Sequence, residues 1–172
     1  MLMRVLSFGG LPVLSDTVRR ANVDNPLGYF EYDKAKRLRE DRSWLAGARG
    51  RVVKIVAQLV PCLPPDYGYK IIFIERDLGE VLASQRTMLD RSGRKGAALS
   101  DDQLQTAFRA QLSSVKAWLR DHANARTLFV RYSEILSEPA AGAARIDEFL
   151  GGGLDRTAMA RAIDTRLWRQ RV

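Results

Sequence analysis

The sequence predicts an α/β domain built on a parallel sheet. Apolar runs of strand length alternate with longer segments of helical periodicity, and no two strand-like runs are joined by a short hairpin turn. The most apolar run, Ile71-Ile72-Phe73-Ile74, is continuous rather than alternating, as expected for a strand covered on both faces. That strand leads straight into a helix. Asp77 stands at its N-cap position with Glu80 three residues later, an acidic form of the capping box, and Leu78, Val81, Leu82, Met88 and Leu89 fall on one face. Residues 69–89 therefore form a strand-turn-helix unit around which the remainder is organised.

The other elements follow in order. Residues 1–8 have a helical apolar pattern, with Gly9-Gly10 as the stop but no residue suited to cap the start. Residues 11–25 form a polar connection, and 32–44 are charge-rich and suit an exposed helix. RVVKIV at 51–56 predicts a second strand, unusual in carrying Lys54 inside it. Pro61, Pro64 and Pro65 make any helix in 59–68 short or absent. Ser100 and Gln103 cap a long helix to about His122, with Leu104, Phe108, Leu112, Val115 and Leu119 at core spacing. Thr127 to Val130 predicts a third strand, 140–150 a helix stopped by Gly151 to Gly153, and Asp155 caps another helix to about Ile163.

At 172 residues the chain is read as one domain, with 46% hydrophobic and 28% charged residues. No apolar run approaches membrane-spanning length, and the N-terminus lacks the basic start and cleavage site of a signal peptide. The lone Cys62 cannot form an internal disulfide and has no basic neighbour to activate it, so a structural role in a reducing cytoplasm is expected. With one His and one Cys, no metal site is expected. The net charge of +8 raises the question of nucleic acid, but 22 of the 28 basic residues are Arg interleaved with acids along the whole chain. There is no basic block with aromatic residues between its members, so nucleic-acid binding is disfavoured.

Arg76, in the turn after the central strand, faces the place where an open α/β sheet binds anions. A guanidinium forks onto phosphate oxygens, and a nearby hydroxyl such as Ser84 adds a neutral hydrogen bond. Glu75-Arg76-Asp77-Leu78 followed by Val81, Ser84 and Gln85 resembles the 3′-phosphate-binding segment of sulfotransferases. Asn25-Pro26-Leu27-Gly28-Tyr29-Phe30-Glu31 resembles the Asn-Pro-x-Gly-Tyr-Phe-Glu signature of a bacterial sulfotransferase-like branch. Arg131-Tyr132-Ser133-Glu134-Ile135-Leu136, with Pro139 downstream, resembles the family's Tyr-Glu-Asp-Leu segment, with Ser133 where an acid is usual.

The resemblance implies a three-layer P-loop-like sulfotransferase fold with a parallel sheet, and transfer of a sulfuryl group from 3′-phosphoadenosine 5′-phosphosulfate to a hydroxyl or amine of an unspecified acceptor. By it, Arg76 and Ser84 hold the 3′-phosphate, Lys54 stabilises the departing oxygen, and Glu31 takes the acceptor proton. Arg166 and Arg169, around Trp168 in the tail, are secondary candidates for phosphate contact. Each has a plainer alternative: Glu31 as a favourable acid at a helix start, Lys54 as a charged guard on a sheet edge, the tail arginines as a frayed terminus. In the family, a strand and a Gly-, Arg- and Ser/Thr-rich loop precede the first helix and cradle the 5′-phosphosulfate. This sequence begins beyond that loop, so it is expected to be an N-terminally truncated fragment, the product of a misassigned start codon or a natural variant without the loop. Activity of this chain is doubtful, and if the lost strand is the central one it leaves apolar sheet edges for a homodimer to cover. Two other classes stay open: a non-catalytic nucleotide- or anion-binding module, and a basic nucleic-acid-binding protein.

Overall fold

A short parallel sheet lies between two apolar layers. The structure, a computed structural model, describes residues 1–16, 28–93 and 99–164. Strand β1 (Tyr69–Glu75) pairs in parallel with β2 (Ala125–Arg131), in a register that sets Phe73 opposite Phe129 and Glu75 opposite Arg131. Helices α1 (Leu2–Phe8), α2 (Asp33–Lys36), α3 (Leu78–Ser92), α4 (Asp101–Asp121), α5 (Tyr132–Ser137), α6 (Pro139–Leu150) and α7 (Arg156–Arg161) complete the regular structure, with 3₁₀ turns over Ser43–Ala48 and Ala57–Cys62. No described helix is long and apolar enough to cross a membrane, and no group of metal-ligating side chains occurs among the described residues.

Because successive strand side chains point to opposite faces, each strand feeds both layers. On one side Tyr69, Ile71 and Phe73 join Phe129, Trp44, Leu63, Val115 and Leu119, with the Phe73 and Phe129 rings 5.5 Å apart. On the other, Ile72, Ile74, Leu128 and Val130 meet Val5 and Leu6 of α1, Ile135 of α5, Ile146 of α6 and Met159 of α7. The expected α/β architecture with a parallel sheet is present.

The capping signals act where the sequence places them. Asp77 accepts the Glu80 N–H at 3.1 Å, and Ser100 and Gln103 form a reciprocal box at 3.3 and 2.9 Å. Asp155 accepts the Ala158 N–H at 2.8 Å. At the end of α6, Gly151 adopts φ +110°, a left-handed conformation that a residue with a Cβ resists.

Three expectations are corrected. Residues 51–56 do not form a strand: one isolated parallel bridge joins Val52 to Val13, so among the described residues two strands form where three are expected. The segment borders a cavity that separates it from β1, and a ladder needs a hydrogen-bonded neighbour. The exposed helix expected over 32–44 is a single turn at α2, followed by the 3₁₀ turn at Ser43–Ala48. Asp41 accepts from both the N–H and the hydroxyl of Ser43, a local bond that competes with helix. Trp44 turns inward and donates to the Asp41 carbonyl at 3.1 Å, while Ala35 and Leu38 are buried. Met88, assigned to the apolar face of α3, is 39% exposed.

Candidate functional site

The carboxyl ends of β1 and β2 open onto a cleft of about 400 Å³ lined by Glu75, Arg76, Asp77, Glu80, Arg131 and Tyr132, with Ser133 beside them. Parallel pairing produces this arrangement, since both strands finish at the same end and each hands its next residue to the same space. Arg76 follows β1 directly and Arg131 ends β2.

Arg76 is held on two sides. Its Nε donates to Glu80 Oε2 at 3.0 Å, and its guanidinium carbon lies 5.0 Å from the centre of the Tyr132 ring. The i to i+4 spacing of Arg76 and Glu80 lets one turn of α3 make this contact, and Glu80 is itself buried. These contacts use Nε and one face of the guanidinium. Its two terminal nitrogens make no further hydrogen bond among the described residues, and such a pair has the geometry to donate two parallel bonds to an oxyanion. Burial pushes the Tyr132 phenol above its ordinary pKa, opposed by the charge of Arg76 and assisted by that of Glu80.

The remaining carboxylates of the cleft are engaged elsewhere. Asp77 caps α3, and Glu75 pairs with the Lys116 ammonium of α4. Arg131 lies 3.7 Å from Glu134 and is largely exposed. Ser84 is half-buried in the second turn of α3 and is not among the residues lining this cleft.

A second cluster brings together the two residues assigned to proton transfer and leaving-group stabilisation. Lys54 Nζ lies 3.5 Å from Glu31 Oε1 and donates to the Tyr29 carbonyl at 3.3 Å, while Lys36 Nζ reaches Glu31 Oε2 at 3.2 Å. The loop that aims Glu31 is strained: Gly28 has φ +85° and Phe30 φ +49°, a left-handed conformation rare for a bulky residue. Asp16 ties the loop down by donating its N–H to the Glu31 carbonyl at 2.8 Å and accepting that of Asp33 at 2.5 Å. Pairing with Glu31 raises the Lys36 pKa.

Lys54 also borders a cavity of about 880 Å³ that runs beside β1 as far as Ile74, where the strand-end cleft begins with Glu75. Arg166, Arg169 and the first residues of the Asn-Pro signature, Asn25, Pro26 and Leu27, lie outside the described residues. Sequence reasoning assigned no site role to Arg131 or Tyr132. The available signal was their position directly at the end of the neighbouring parallel strand.

Compared with known protein families, curated proteins and solved structures, the chain matches none.

Proposed function

We propose that this chain is a sulfotransferase-type protein of P-loop-like architecture, whose strand-end cleft takes the 3′-phosphate of 3′-phosphoadenosine 5′-phosphosulfate. The observation that carries this reading is Arg76, fixed by Glu80 and Tyr132 with its terminal nitrogens still available in the cleft. A guanidinium already held in place loses little freedom when it takes up a bidentate phosphate. Arg131 adds a second cation at the same rim.

In the transfer step, the acceptor oxygen or nitrogen bonds to sulfur as the bond from sulfur to the 5′-phosphate oxygen breaks, leaving 3′,5′-adenosine bisphosphate. Glu31 receives the acceptor proton and Lys54 offsets the charge growing on the departing oxygen. The 3.5 Å separation of Lys54 Nζ and Glu31 Oε1 supports assigning both groups to one reaction.

A second reading, nucleotide binding without transfer, draws on the same pair. Glu31 already sits between two ammonium groups, as a purely structural carboxylate would. Titration calorimetry with 3′,5′-adenosine bisphosphate, using 5′-adenosine monophosphate as control, tests the nucleotide site. Binding that requires the 3′-phosphate supports it, and failure of the folded protein to bind the bisphosphate overturns it. Transfer of labelled sulfuryl to a panel of phenols and amines then separates the two readings.

A further inference from the structure

The cavity beside β1 has the shape of a gap in a sheet. It is lined by every residue from Tyr69 to Ile74 on one side and by Arg49 to Ile55 on the other. Because alternate residues of a strand face opposite ways, a cavity touched by an unbroken run lies along the edge of that strand and not on a face. The far wall keeps the same alternation: Val52 packs with the layer containing Ile72, and Val53 and Ile55 with the layer containing Phe73. Residues 52–55 therefore lie in the plane of the sheet, with the gap between them and β1. Its roof and floor come from the two apolar layers, Leu6 of α1 on one side and Leu63 with Leu112 on the other.

Among the described residues β1 pairs through one edge only, to β2. In a parallel ladder alternate residues turn their N–H and C=O toward one neighbour, so the others in β1 address the gap. Among the described residues the charged side chains lining it are Arg49, Arg51, Lys54 and Lys70, all cations, of which Lys54 is paired with Glu31.

We propose that this gap is a docking site for one extended strand of another polypeptide segment, about as long as β1, apolar and β-branched at its centre and acidic at its ends. Main-chain hydrogen bonds to β1 give affinity, and the two layers receive alternate side chains, as in recognition by strand addition. The cationic lining supplies the preference for acidic flanks. Arg76 and Arg131 are not among the residues that line the gap, so this inference stands apart from the nucleotide site, although it shares Lys54 with the proposed transfer step.

The test uses the full chain and an acetylated, amidated heptapeptide, Asp-Val-Ile-Val-Ile-Val-Asp, followed by calorimetry and amide hydrogen exchange. Binding is expected with new protection in both 71–74 and 52–55. The same peptide with lysines in place of its aspartates is expected to bind roughly three- to tenfold more weakly. A peptide N-methylated at alternate residues is expected not to bind, since its side chains remain but its ladder cannot form. The proposal is overturned if the peptide fails to bind the folded chain, or if protection appears in only one of the two walls. Equal binding of the N-methylated peptide, or displacement of the heptapeptide by decanoate, overturns it in favour of an anionic amphiphile. A concentration-dependent dimer that protects both walls without peptide overturns it in favour of a second copy.

Discussion

Glu80 holds Arg76 by its Nε at 3.0 Å, from the first turn of the helix that Arg76 precedes. One residue thereby serves two purposes, because the Glu80 N–H is also the donor that Asp77 caps. Arg76→Ala is expected to raise the dissociation constant for 3′,5′-adenosine bisphosphate about 10- to 100-fold, the worth of a charge-assisted hydrogen bond. Arg76→Lys is expected to recover only part of this, since an ammonium cannot fork. Calorimetry on the two variants checks both expectations.

The same geometry makes Glu80 a competitor for the incoming phosphate. Glu80→Gln keeps an oxygen for Nε but removes the negative charge, so bisphosphate binding is expected to tighten, by roughly three- to tenfold at low salt. Glu80→Ala removes the acceptor as well and lets the guanidinium swing, so binding is expected to weaken. Opposite effects of Gln and Ala at one position separate charge competition from orientation. Equal effects would count against the arrangement described here.

For transfer, Glu31→Gln is expected to lower the sulfuryl-transfer rate about 10²- to 10⁴-fold, the usual contribution of a general base, with bisphosphate affinity unchanged. Lys54→Met is expected to reduce the rate constant more than it raises the Michaelis constant, because the departing oxygen gains its charge only in the transition state. Pre-steady-state transfer measurements with bisphosphate titrations on each variant decide this. A loss of binding in either would place the pair in the nucleotide site instead.

How far the sequence revealed this arrangement depends on the range over which each signal acts. Asp77, Ser100 and Asp155 were legible as caps because a cap is a contact over three residues, written wholly in local sequence. The apolar run at 71–74 was legible for a related reason: its pattern follows from burial on both faces. RVVKIV at 51–56 is also rich in β-branched residues and still forms no ladder. Whether such a run pairs depends on what lies beside it in space, which its own residues do not encode. At the site, the position of Arg76 followed from the strand-to-helix turn. Its clamp by Tyr132, 56 positions on, required the register of β1 on β2, and that register is non-local.

The layer beneath α6 is fully buried at several positions, so truncation there is expected to be costly. Ile146 is fully buried between α6 and the sheet, whereas Val56 is 51% exposed. Ile146→Ala is expected to cost about 2 to 5 kcal/mol, the lost transfer energy plus an unfilled cavity. Val56→Ala is expected to stay within about 0.5 kcal/mol. Urea unfolding of both variants, with the slope checked for constancy, gives the comparison.

Asp147 provides a test whose sign depends on pH. Its carboxylate is buried in the turn between α6 and α7, accepting the Leu154 N–H at 2.9 Å and the Arg156 Nε at 2.6 Å. The Leu154 N–H, then the Arg156 hydrogen bond, hold its pKa below the ordinary aspartate value. A carboxyl whose folded pKa is depressed contributes stability that is fully present above its unfolded pKa, about 4, and is lost as pH falls through the lower folded value. Asp147→Asn keeps an acceptor for Leu154 but cannot ionise. The wild-type chain is therefore expected to exceed this variant in stability by a constant margin between pH 5 and 7. That margin should shrink as pH falls below about 4 and disappear once the native carboxyl is protonated. Urea midpoints for the two chains measured from pH 7 to pH 2 would show this, and a margin that does not change with pH would mean that the Arg156 contact contributes through packing and not through charge.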